Sequence, residues 1–198
     1  MKSSVQIFGK RVLLRPVQLA DFPQWSEVRT RNANWLTKWE PMRTGTSNPD
    51  SDKNAFALRC SARDRDWQFG SSFGFGVFIE GSFAGEINVN SVQRGPFQSA
   101  QVGYWIDERF AGQGYIPESL VSVLRYSFEV QNLHRIEVSI VPRNTASIRV
   151  VEKLQLRNEG LAERYLEING TWEDHVRYAI TSEEWVVRQK ALEAQWLE

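Results

Sequence analysis

A chain of 198 residues is sized for one compact domain, taken here as residues 1–198, and leaves little material for a second independent core. Its 24 acidic and 24 basic residues cancel, which excludes a global field drawing the protein onto nucleic acid or an anionic membrane. One cysteine, Cys60, excludes an internal disulfide and a cysteine-rich zinc site. The start, MKSSVQIFGKRV, lacks the apolar core of a secretory signal, and no apolar run approaches the ~18–20 residues of a spanning helix, so a cytoplasmic protein is expected.

KRVLLRPV (Lys10 to Val17) reads as a strand ended by Pro16. LADFPQWSEVRTRN (Leu19 to Asn32) reads as a helix with Asp21 near its start. Residues 34–50 mix aromatics with Pro, Gly, Ser and Asn, which predicts a loop with a short turn of helix. Residues 50–68 form a second helix candidate, capped by Asp50 or Ser51. The period then changes from helical to alternating. Residues 72–80 and 83–93 read as a hairpin turning at Gly81-Ser82, and residues 100–108 as a third strand. Leu120, Val121, Leu124 and Phe128 recur at helical spacing, with Pro117 where a first turn tolerates it. Residues 134–141 are a strand ended by Pro142, and residues 144–156 a short helix carrying Ile148, Val151 and Leu154. Residues 161–180 are a hairpin around Asn169-Gly170, and residues 182–198 a closing helix. This order is α/β with a central mixed sheet flanked by helices, in which the strand–helix–strand unit Val102–Ile140 runs parallel and right-handed. The eight tryptophans make either a large aromatic core or a pocket of flat walls.

The stretch RFAGQGYIPE puts Gly112 and Gly114 between a strand and a helix. A dinucleotide fingerprint needs a third glycine, and a nucleotide-binding P-loop needs Gly-Lys-Ser/Thr; neither is present. Two readings remain. One is an Arg-x-x-Gly-x-Gly turn whose bare N–H groups, at the positive end of a helix, bind pyrophosphate. The other is an ordinary glycine-rich entry to a helix.

VGYWIDERFAGQGYIPESL, followed by LHRIEVSIVPRNTASIRVVEKL and NEGLAERYLEINGTWEDHVRYAI, resembles the GNAT superfamily of N-acetyltransferases, and within it the RimJ/RimL group that acetylates N-terminal α-amines of ribosomal proteins. The similarity extends to RVLLRPVQLADFPQWSEVRTRNANWLTKWEP and so covers nearly the whole chain. The chain departs from the pattern at Pro117-Glu118-Ser119, where Thr-Glu-Ala is common, and at Leu154-Gln155-Leu156, where Leu-Gly-Phe is common.

The resemblance implies a splayed GNAT sheet with acetyl-CoA as cosubstrate and no metal. Tyr104, Trp105 and Ile106 would offer backbone groups to the pantetheine arm, and one amide there would hold the oxyanion. Gly112, Gln113, Gly114, Tyr115 and Ile116 would wrap the pyrophosphate, with Arg109 as a nearby charge or simply a solvated one. Asn144 would contact the pantetheine arm, cap its helix, or do both. Ser147 would protonate the leaving thiolate, or be a helix-surface serine. Glu86, expected beside the cleft, and Glu167 on the later hairpin are the candidate carboxylates acting through water, each with a solvent-facing alternative. Trp35 and Trp39, with Leu36, wall the site of a peptide's first side chain or cover the core, and Glu40 could meet the ammonium. His134 reads as structural, and His175 lies near the substrate side without an identified partner. The acceptor implied is a protein N-terminus, possibly ribosomal, with no nucleic acid or membrane, and the enzyme a monomer or homodimer. The rivals are acetylation of a polyamine or aminoglycoside, and a non-catalytic acyl-CoA-binding module.

Overall fold

The computed structural model describes residues 5–42 and 49–198; the part of the expected loop at residues 43–48 lies outside it. Eight strands form one sheet: β1 (Ile7–Phe8), β2 (Val12–Arg15), β3 (Phe73–Ile79), β4 (Ser82–Gln93), β5 (Ser99–Ile106), β6 (Arg135–Ile140), β7 (Arg157–Ile168) and β8 (Thr171–Thr181). Their order is β1-β2-β3-β4-β5-β6-β8-β7. Every neighbouring pair is antiparallel except β5 and β6. The helices are α1 (Phe22–Arg31), α2 (Ala33–Leu36), α3 (Lys53–Phe69), α4 (Tyr115–Arg125), α5 (Thr145–Lys153) and α6 (Ser182–Trp196). The mixed sheet flanked by helices is the architecture expected, and β1 is a two-residue addition the alternation was too short to reveal.

The main core lies between the sheet and α4, α5 and α6. Leu120, Val121 and Leu124 of α4, Val151 of α5 and Trp185 of α6 are essentially excluded from water. Full burial of one such side chain is worth about 1.5–3 kcal/mol. On the other face α1 and α3 enclose a smaller aromatic cluster, in which Trp25 and Phe56 lie 4.7 Å apart between ring centroids. The tryptophans therefore serve both roles the sequence left open. Trp25 and Trp185 are core, whereas Trp35, Trp39 and Trp105 line a cleft.

Several ends are fixed differently from the sequence expectation. The cap of α3 is Asp52, which accepts from the amides of Asn54 at 2.8 Å and Ala55 at 3.2 Å, rather than Asp50 or Ser51. Asp21 precedes α1 but turns its carboxylate to Arg15 at 2.7 and 2.8 Å instead of capping the helix. Asn169 (φ 47°) and Gly170 (φ 83°) both take positive φ, as a two-residue turn of the mirror-image kind requires. Among the described residues, no helix is long and apolar enough to cross a membrane.

Candidate active site

β5 and β6 pair only from Ser99↔Arg135 to Gln101↔Glu137. Beyond Gln101, β5 stays laddered to β4 as far as Ile106 but has no partner on its other side. The two strands thus part over Val102–Ile106, as expected, and open a cleft of about 550 Å³. Tyr104, Trp105 and Ile106 line it on the β5 side, and α5 bounds it through Asn144 and Ser147.

One end of the cleft is the glycine turn. Gly112 (φ 77°) and Gly114 (φ 88°) both adopt the left-handed conformation that side chains disfavour. Among the described residues, the backbone N–H groups of Gly112, Gln113, Gly114, Tyr115 and Ile116 meet no acceptor. Pro117 has no N–H to satisfy. The result is a row of free donors at the N-terminus of α4, where the helix dipole adds to the attraction for an anion. Glu118 holds the turn against β2. Its buried carboxylate accepts from the amides of Arg11 (2.5 Å) and Val12 (3.0 Å) and from Arg11 Nε (2.9 Å). Arg11 in turn donates to the Gln113 carbonyl at 3.1 Å and lies 4.4 Å from the Tyr115 ring centroid. The Gln113 side chain bonds back to the Arg109 carbonyl at 2.7 Å, and neither the Gln113 nor the Arg109 side chain lines the cleft.

On the α5 side, Asn144 Oδ1 accepts from the Ser147 amide at 3.2 Å and caps the helix. Ser147 Oγ stands 3.0 Å from the Tyr104 hydroxyl, which also lies 3.3 Å from the Ser147 carbonyl. Burial pushes the Tyr104 phenol well above its ordinary value, and the Ser147 hydrogen bond offsets only part of that. Arg149 and Lys153, one turn apart on α5, also line the cleft.

Trp35, Trp39 and Trp105 also line the cleft. Trp35 Nε1 donates to the Ile106 carbonyl at 3.2 Å and so ties α2 to the end of β5. Glu40 is the only carboxylate lining the cleft among the described residues. Arg29, 7% exposed, grips it with two bonds of 2.6 and 2.8 Å. The Glu40 carbonyl accepts from the Asn169 amide at 2.9 Å, which pins the β7–β8 turn to this wall. Arg143 adds a second tie: it pairs with Glu173 and sits 4.7 Å from the Trp39 ring centroid.

The sequence matches the family described as the acetyltransferase (GNAT) domain over residues 11–157. The chain belongs to the GNAT acetyltransferase family. It is 32% identical over 183 residues to the [ribosomal protein uS5]-alanine N-acetyltransferase of Escherichia coli K12, covering 91% of this chain and 93% of the relative. The solved structure of Mycobacterium smegmatis RimJ in complex with CoA-disulfide superposes with a TM-score of 0.90 at 31% identity, covering 96% of this chain and 94% of that one. The ribosomal-protein-S5-alanine acetyltransferase of Vibrio fischeri superposes with a TM-score of 0.83 at 28% identity, covering 92% and 99%. This GNAT protein is an acetyl-CoA-dependent N-acetyltransferase. The unpaired amides from Gly112 to Ile116 suit the pyrophosphate of its acyl donor, and the bare flank of β5 suits the amide-bearing pantetheine arm.

Glu86 requires a correction. It was expected beside the cleft, because alternation puts it on one face with Asn88. That alternation holds, and Asn88 does line the cleft. But α1 and α3 cover the Glu86 end of the face. Glu86 is 2% exposed and accepts from Trp25 Nε1 at 2.8 Å and from Arg59 at 2.5 Å, with Arg63 at 3.8 Å. Burial opposes its ionisation, yet the two arginines and these hydrogen bonds hold the carboxyl below its usual value. It is a paired structural anion outside the cleft. Glu167 lies on β7 opposite Trp172, also outside the cleft. His134 bonds Glu183 at 3.0 Å, and His175 is buried with Nδ1 3.0 Å from the Glu173 carbonyl.

Sequence reasoning missed Arg11, Arg29, the Tyr104 hydroxyl, Arg149 and Lys153. Glu118 was noted only as part of an unusual tripeptide. An acid in the first turn of a helix was a readable signal, but its partners, Arg11 and Val12, lie 107 and 106 residues away where β2 begins.

Proposed function

We propose that this acetyltransferase modifies the N-terminal α-amine of a protein, with ribosomal proteins as the substrate class and the cytoplasm as the place of action. The observation that carries the reading is the form of the cleft. It joins the amide row at Gly112–Ile116 with a tryptophan wall and, among the described residues, one carboxylate, Glu40. A protein N-terminus brings one ammonium and one first side chain, which suits one carboxylate and an apolar wall. A polyamine would call for several acidic groups. The names of the E. coli and V. fischeri relatives specify an alanine of ribosomal protein S5, which supports the same class.

The chemistry asks little of a base. An α-amine titrates near ~7.7–8.0, so roughly a third is neutral at pH 7.5, against about one part in a thousand for a lysine amine near ~10.4. Glu40, oriented by Arg29, gives the incoming ammonium a carboxylate to meet in the cleft. Once neutral, the amine attacks the thioester carbon. A β5 backbone amide holds the resulting oxyanion, a contribution of about 3 kcal/mol for one donor. Ser147 gives the departing sulfur its proton. Incubation of alanine-starting peptides with acetyl-CoA and enzyme, read by mass spectrometry, is expected to place acetyl on the α-amine. Acetyl on lysine Nε alone would reject the reading.

A further inference from the structure

We propose that Tyr104 is a positioning residue for Ser147: its phenol holds the serine hydroxyl in place and, as the C–S bond breaks, turns its own hydrogen bond onto Ser147 Oγ. The proposal rests on the reading of Ser147 as the acid.

The geometry offers the phenol two partners on one residue, Ser147 Oγ at 3.0 Å and the Ser147 carbonyl at 3.3 Å. A phenol has one proton and cannot donate to both. With the proton on the carbonyl, the phenol oxygen accepts from Oγ–H and parks the serine proton. With the proton turned onto Oγ, the serine proton is released toward a third partner, and both side chains line the cleft in which that partner would lie. Asn144 accepts from the Ser147 amide at 3.2 Å, so the backbone that carries the hydroxyl is held as the first turn of α5. Burial keeps the phenol protonated far into alkali, so the donor is present throughout the range in which amines are acetylated.

The step balances without any charge resting on Tyr104. The amine nitrogen bonds to the carbonyl carbon, and the C–S bond breaks with its electron pair on sulfur. Ser147 Oγ passes its proton to sulfur and regains one, by way of solvent, from the nitrogen that has lost it. Tyr104 ends with the proton it began with. What it supplies is a donor to Oγ at the moment Oγ becomes electron-rich.

The test is a double-mutant cycle on the full chain: Tyr104→Phe, Ser147→Ala and the pair, each assayed for kcat and KM with an alanine-starting peptide and melted thermally. Tyr104→Phe is expected to lower kcat about tenfold, the weight of one lost hydrogen bond, with the acetyl-CoA KM and the melting temperature close to wild type. Added to Ser147→Ala, it should cost nothing further. Loss of equal size in both backgrounds, a raised acetyl-CoA KM at unchanged kcat, or an unchanged kcat would each overturn the proposal. Full kcat in Ser147→Ala alone would remove the acid role and this proposal together. It would leave the α-amine reading untouched, because that is judged from where acetyl appears.

Discussion

Gly112 and Gly114 share a backbone conformation but not an environment. A Cβ at Gly112 would touch nothing among the described residues, whereas one at Gly114 would meet Arg11 at 3.2 Å and Trp196 at 3.3 Å. Left-handed φ costs either alanine about 1–2 kcal/mol. Gly112→Ala should therefore lower the melting temperature by only a few degrees, yet weaken coenzyme A about tenfold by crowding the amide row. Gly114→Ala should lose more stability for a comparable loss of affinity. Calorimetric titration and thermal melts separate the two. Glu86 behaves oppositely. Glu86→Gln leaves Arg59 and Arg63 without their counter-charge and should cost roughly 3 kcal/mol, the low end for a broken buried pair, because both arginines keep some contact with water. Its kcat per folded molecule should match wild type, and urea unfolding beside steady-state kinetics checks both halves. A large fall in kcat at full stability would restore Glu86 to the chemistry.

At the scale of elements, the substrate wall is assembled from pieces far apart in sequence. Trp39 and Glu40 are held by Asn169 in the β7–β8 turn and by Arg143 just before α5. Arg143→Ala should loosen that wall and raise the peptide KM several-fold while leaving the acetyl-CoA KM nearly unchanged, since Arg143 contacts Glu173 and Trp39 and not the amide row. The donor half of the site was legible in the sequence because it is local. The turn, the helix that follows, and Asn144 capping Ser147 are all short-range patterns, and the Asn169-Gly170 turn likewise announces itself. The acceptor half was legible only in part: Trp35, Trp39 and Glu40, expected there, do line the cleft, but Glu86, expected beside it, does not. Alternation told correctly which face Glu86 occupies, but it cannot tell which helix covers that face. Arg29 gripping Glu40, and Arg11 with Glu118, are pairings across long chain separations that composition does not encode.

Over the whole molecule, acidic groups gain arginine partners on folding. Burial raises Glu137, but Arg135 and Arg177 more than compensate and hold it below its ordinary value. Hydrogen bonding from Arg135 takes Glu159 down to about 2. Asp107, in spite of burial, is lowered by Arg31 and Asn32. A carboxyl whose folded value lies below its unfolded value contributes stability above the unfolded value and loses it as pH falls through the folded one. The domain should hold steady above about pH 5 and weaken progressively toward pH 2, as urea midpoints across that range would show. A midpoint that rises on acidification would contradict these pairings.

The parting of β5 and β6 leaves a naked strand flank in the middle of a sheet rather than at its rim. Such flanks invite foreign extended chains, which at a rim leads to sticking between molecules. Here the opening is lined by α5 residues and by aromatic rings, which leave it a cleft rather than an open edge. Filling that cleft favours the folded chain by mass action, which links the availability of the acyl carrier in the cell to how long each copy of the enzyme survives.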